Sequence, residues 1–129
     1  MKHSYFNKPK TIICLAGPTA AGKTGMALKL ASRLPVDLIS VDSGQVYSEL
    51  NIGTAKPDIE TLSLIPHGLI NIRKIDQPFS AADFCLEATK LIKKAFEGQR
   101  IPLLVGGTMF YFSALFNGLP ELPGAAGIV

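Results

Sequence analysis

The run Gly17-Pro18-Thr19-Ala20-Ala21-Gly22-Lys23-Thr24 has the residue types and spacing that hold a chain of phosphates. Gly17 and Gly22 permit backbone conformations that a side chain would block. Successive backbone N–H groups can then point at phosphate oxygens, helped by the positive end of the helix beginning near Gly22. Lys23 adds a point charge, and the Thr24 hydroxyl is placed to ligate Mg²⁺. Asp42 and Ser43 follow an apolar run ending at Val41, and Gly106-Gly107-Thr108 follow another. Asp42 has three readings from its type and place: a carboxylate holding Mg²⁺ through water, a general base, or a cap on the following segment.

These residues need elements to position them. Thr11 to Ala16 is short, apolar and closed by Gly17-Pro18, which predicts a buried strand. Met26, Leu28, Leu30, Ala31 and Leu34 continue as a helix until Pro35. Leu38 to Val41 predicts a second strand, so strand, glycine turn, helix and strand make a βαβ unit with parallel pairing. Gln45 to Pro66 has no clear periodicity, with Gly53 to Pro57 as an ordered loop, and Gly68 to Ile75 is expected as an edge strand. Ser80 with Asp83 three residues on predicts a capped helix with Phe84, Ala88, Leu91, Ile92, Ala95 and Phe96 on one face, ending at Gly98. Ile101 to Val105 predicts a third strand and Met109 to Phe116 a short helix. Gly124 to Val129 has no element signal. Because ligands of parallel sheets bind beyond the carboxyl ends of the strands, the three turns should face one cleft. The polar groups available there are Thr19, Lys23, Thr24, Asp42, Ser43, Gln45 and Thr108.

The 129 residues suffice for one domain, and 47% hydrophobic content supplies a core. A net charge of +3 without a dense Lys/Arg run neither requires nor excludes a nucleic-acid partner. Cys14 and Cys85 read as core thiols. Met1 to Lys10 is polar with no apolar stretch behind it, and no segment approaches the roughly 20 apolar residues that span a bilayer, which predicts a cytoplasmic chain.

Together with the P-loop, Asp42-Ser43-Gly44-Gln45-Val46-Tyr47 and Asn51-Ile52-Gly53-Thr54-Ala55-Lys56-Pro57 resemble the tRNA dimethylallyltransferase family. The likeness continues through Pro66-His67, Phe79 to Phe84 and Pro102 to Thr108, covering about Thr11 to Pro120 in order. It implies an α/β, P-loop NTPase-like three-layer fold with a mostly parallel sheet, here incomplete at the C-terminal side. It also implies transfer of a dimethylallyl group from dimethylallyl diphosphate to the exocyclic amine of the adenosine 3′ of the anticodon in tRNA. By the resemblance, Gly17 to Thr24 hold the diphosphate with Mg²⁺ on Thr24, and Asp42 is the general base. Ser43, Gly44 and Gln45 hold the flipped-out base, and Thr108 lies near the reacting centre, bonded to diphosphate or tRNA. The family is further expected to be monomeric.

Two local departures are visible. Ala21 stands where the family has Ser, and Pro66-His67-Gly68-Leu69-Ile70-Asn71 replaces Pro-His-His-Leu-x-Asp, which leaves His67 as a structural residue. Family members are about twice this length or more, with a helical tRNA-clasping insertion. The expected organisation is therefore a flexible segment at 1–10, a P-loop core at 11–120 and a tail at 121–129 unlike the family. The whole is expected to be an N-terminal fragment lacking transferase activity by itself. The alternative is a P-loop small-molecule kinase using ATP, with Asp42 activating a substrate hydroxyl. A GTPase is disfavoured, since neither Asn-Lys-x-Asp nor Asp-x-x-Gly occurs.

Overall fold

The computed structural model describes residues 10–18, 22–50, 56–118 and 125–128. The expected N-terminal segment, the heart of the Gly53 loop and most of the tail lie outside these. Five parallel strands form one sheet: β1 (Ile12–Ala16), β2 (Val36–Ser40), β3 (His67–Gly68), β4 (Ile101–Gly106) and β5 (Ala125–Ile128), in spatial order β3-β2-β4-β1-β5. Among the described residues four helices alternate with them: α1 (Lys23–Arg33), α2 (Ile59–Leu64), α3 (Ala81–Glu97) and α4 (Met109–Gly118).

β1 and β2 belong to one strand-helix-strand unit but do not pair. β4 lies between them, in register with Ile13 to Ala16 on one side and Val36 to Ser40 on the other. Its apolar run explains the central place: Leu103 and Leu104 point to opposite faces and are both fully buried. This insertion brings the turn after β4 between the turns after β1 and β2.

The alternation of side chains divides the core into two faces. Ile12, Cys14, Ile39, Val41 and Leu104 pack against Phe84, Ala88 and Ile92 of α3 and Tyr111, Phe112 and Leu115 of α4. Phe84 and Tyr111 stack with ring centroids 4.6 Å apart. Leu15, Val36, Leu38 and Leu103 face the other way, against Ala27 of α1, with Leu30, Ala31 and Ile65 at the margin. The result is the expected three-layer α/β arrangement. Cys14 is a core thiol whose pKa burial pushes up to about 11. Cys85 is half-buried on α3, and its pKa is raised for the same reason.

Several sequence expectations need correction. The edge strand expected over Gly68 to Ile75 is only His67–Gly68, with one further bridge joining Tyr47 and Arg73. Leu69 and Asn71 take positive φ of 67° and 60°, which breaks an extended run. β2 begins at Val36, directly after Pro35, and ends at Ser40 rather than Val41. The unassigned stretch before Pro66 contains α2, capped by Asp58, whose carboxylate accepts from Thr61 N at 2.7 Å. The tail without an element signal forms β5 on β1. Around Ser80 the capping box is present in full: Asp83 N donates to Ser80 Oγ at 3.1 Å and Ser80 N to Asp83 Oδ2 at 2.9 Å.

Candidate active site

A cleft opens at the carboxyl ends of β1, β2 and β4. It is lined by Lys23, Thr24 and Ala27 of α1, Ser40, Asp42 and Gln45 after β2, and Val105 and Gly106 of β4, with Pro57 and His67 closing one side. Thr19, Ala20 and Ala21 lie outside the described residues. Gly17 and Gly22 take the positive φ values, 151° and 76°, that the loop sequence anticipates.

Lys23 is 9% exposed, one of two buried polar side chains among the described residues. Its Nζ donates to the carbonyls of Gly17 at 2.5 Å and Pro18 at 2.6 Å. Among the described residues no carboxylate pairs with it. Gly22 caps α1 with no side-chain hydrogen bond, and no acid stands in the first turn. A buried ammonium therefore sits beside the unsatisfied N–H groups of a helix start, with nothing in the described chain to balance either. Both favour an anion.

The three turns are tied together by backbone. Gly17 N donates to Gly106 O at 3.2 Å, Val41 N to Val105 O at 2.8 Å, and Thr108 N to Val41 O at 3.2 Å. Thr108 Oγ1 accepts from Ser43 N at 2.9 Å and lies 3.4 Å from Ser43 Oγ. Thr108 and Ser43 thus brace the Asp42 turn. A Cβ on Gly106 would sit 2.0 Å from Val41 O, so only glycine permits β4 to approach the Asp42 turn this closely.

Asp42 Oδ1 accepts from Gly44 N at 2.8 Å and Gln45 N at 3.1 Å. The capping reading is thus realised, by one oxygen. Oδ2 takes no hydrogen bond from a described residue, so the carboxylate keeps an acceptor while its orientation is fixed. Ser40 Oγ, the other buried polar group, donates to Gln45 Oε1 at 2.9 Å and holds that amide in place.

Two polar lining residues, Ser40 and His67, were not among the site residues expected from the sequence. Ser40 interrupts the apolar run Leu38-Ile39-Ser40-Val41, and a hydroxyl in a buried strand was the available signal. His67 had none, because its place depends on pairing of its strand with Leu38 of β2. Its Nδ1 lies 2.8 Å from Ile65 O, and burial lowers its pKa against a smaller opposing effect of that carbonyl.

The sequence model of the IPP transferase family matches residues 45–127, more than half of the chain. The chain belongs to the IPP transferase family. The tRNA dimethylallyltransferase of Legionella pneumophila (strain Corby) is 51% identical over 116 residues, covering 90% of this chain and 37% of that protein. Among solved structures, the full-length tRNA isopentenylpyrophosphate transferase from Bacillus halodurans aligns with a TM-score of 0.80 at 42% identity, over 89% of this chain and 38% of that one. A eukaryotic dimethylallyltransferase acting on tRNA gives 0.79 at 30% identity, over 90% of this chain and 28% of that one. The fold is accordingly the P-loop NTPase-like fold of the IPP transferases. The chain spans less than two fifths of the length of these relatives. Among the described residues no helix is long and apolar enough to cross a membrane.

Proposed function

We propose that this chain carries the diphosphate-binding and acceptor-activating part of a tRNA dimethylallyltransferase acting in the cytoplasm on dimethylallyl diphosphate and the adenosine 3′ of the anticodon. The observation that supports it most is the juxtaposition in one cleft of the buried, carboxylate-free Lys23 with the half-buried Asp42.

In this reading Gly17 to Thr24 grip the diphosphate. Two of the three Lys23 N–H donors go to loop carbonyls, and the third is left for a phosphate oxygen. The Thr24 hydroxyl, exposed in the same cleft, is a hard oxygen donor of the type Mg²⁺ accepts beside phosphate oxygens, so the residues present fit that ion. When bound, Mg²⁺ would neutralise charge on the leaving diphosphate. The adenosine amine attacks the allylic carbon, the carbon–oxygen bond to diphosphate breaks, and the amine proton passes to Asp42. Asp42 suits this role because one oxygen is anchored and the other is left to accept. Gln45, oriented by Ser40, and the Ser43-Gly44 backbone would hold the extruded base. Thr108 acts on the reacting centre through Ser43.

Calorimetric titration of the chain with Mg²⁺ and either dimethylallyl diphosphate or ATP tests the phosphate reading. Dimethylallyl diphosphate should bind and Asp42→Ala should leave that affinity unchanged. In a protein extended to the length of the relatives, Asp42→Ala should lower turnover by about 10²- to 10⁴-fold. Preferential binding of ATP, or unimpaired turnover of the Asp42 variant, would sink the assignment.

A further inference from the structure

His67 belongs to neither the phosphate loop nor the Asp42 turn, yet it lines the same cleft. It opens β3, and β2 and β4 separate that strand from β1, which leads into the phosphate loop. Three inter-strand steps of about 4.8 Å put the two strands roughly 14 Å apart. His67 therefore flanks the cleft from a strand other than the one that leads into the phosphate loop.

The ring's chemistry is set by its other contact. A carbonyl oxygen only accepts, so the 2.8 Å contact to Ile65 O places a proton on Nδ1. Burial favours the neutral ring. A neutral ring protonated on Nδ1 has an acceptor at Nε2. Nε2 has no partner among the described residues, and none of their fully buried side-chain nitrogens or oxygens lacks one. Nε2 is therefore reachable from outside, in a residue that lines the cleft.

We propose that His67 is a ligand-binding residue of this cleft, its Nε2 accepting a hydrogen bond from a neutral N–H or O–H donor on the phosphate-free end of the ligand. A dimethylallyl chain has no such donor, so the donor belongs to the acceptor nucleoside. That identity, but not the acceptor at Nε2, rests on the function proposed above.

The chain has two histidines, His3 and His67, so long-range ¹H–¹⁵N spectra of the imidazoles resolve the site. With Mg²⁺ and inorganic diphosphate present, adding adenosine should shift the His67 Nε2 resonance and leave His67 Nδ1 and both His3 nitrogens in place. The Gln amide reaches the Nε2 position and the Asn amide only the Nδ1 position. His67→Gln should therefore hold adenosine affinity within about twofold, while His67→Asn loses about five- to tenfold. Diphosphate affinity should change in neither. A purely structural His67 would give the reverse, with Asn retaining the thermal midpoint and Gln losing it. Absence of adenosine binding, an unmoved Nε2, or equal affinities for wild type, Gln and Asn would overturn the proposal. Failure of diphosphate to bind would instead overturn the phosphate reading and leave the Nε2 result to stand on its own.

Discussion

The starts of α1 and α3 solve the same problem in opposite ways. Every helix start leaves N–H groups without intrahelical partners and a partial positive charge. At α3 the chain satisfies them itself, with the Ser80 hydroxyl, the Asp83 carboxylate in the first turn and reciprocal bonds between the two. At α1 the cap is a left-handed glycine, the first turn holds no acid, and a buried lysine adds positive charge. The first arrangement stabilises the fold. The second leaves its positive charge without a carboxylate among the described residues.

Three substitutions should separate the two helix starts. Lys23→Ala should have the largest effect, weakening Mg²⁺-diphosphate binding by about 10- to 100-fold, as expected for lost hydrogen bonds to a charged group. The thermal midpoint of that variant should not fall in parallel, because the removed ammonium is an uncompensated buried charge. Gly25→Glu transplants the α3 pattern onto α1. Gly25 is in the first turn, and a Cβ there meets nothing within 4 Å. The acid should raise stability by about 1 kcal/mol through helix propensity and the helix dipole. It should also weaken diphosphate several-fold by repulsion, which binding and denaturation measurements on the same sample would reveal. Ser80→Ala should cost about 1 kcal/mol in denaturant unfolding and leave diphosphate affinity untouched.

A pH series sharpens the last of these. Bonds from the Ser80 backbone and hydroxyl hold the Asp83 carboxyl below its ordinary range. A depressed folded-state pKa means the stabilisation is complete above the usual Asp value of about 4 and fades as pH falls further. Ser80→Ala should therefore differ least from wild type at the acidic end.

What the sequence made legible was whatever local chemistry determines. The phosphate loop, the Ser80-Asp83 cap and the strands around Ile12, Leu38 and Leu103 each carry their signal within a few residues. β3 and β5 do not, because two residues beside positive-φ positions and an Ala-Ala-Gly-Ile run become strands only through pairing with β2 and β1. α2 is too short to display a periodicity, and only its Asp58 cap could have marked it. The site divides the same way. Lys23, Thr24, Asp42 and Gln45 stand in recognisable runs, whereas Ser40 and His67 enter the cleft through strand register. The separate part of Thr108, bracing Ser43, depended on β4 running between β1 and β2.

The contact between Gly106 and the Val41 carbonyl has a metric consequence. Through Gly17 and Thr108, this fully closed junction joins the loop that would grip phosphate to the turn that carries Asp42. The spacing between the Gly17 loop and the Asp42 turn is then a gauge length cut into the backbone, indifferent to which side chains decorate it. A methyl group at residue 106 would reset that gauge, and the Gly17 loop and the Asp42 turn would stand at a different separation.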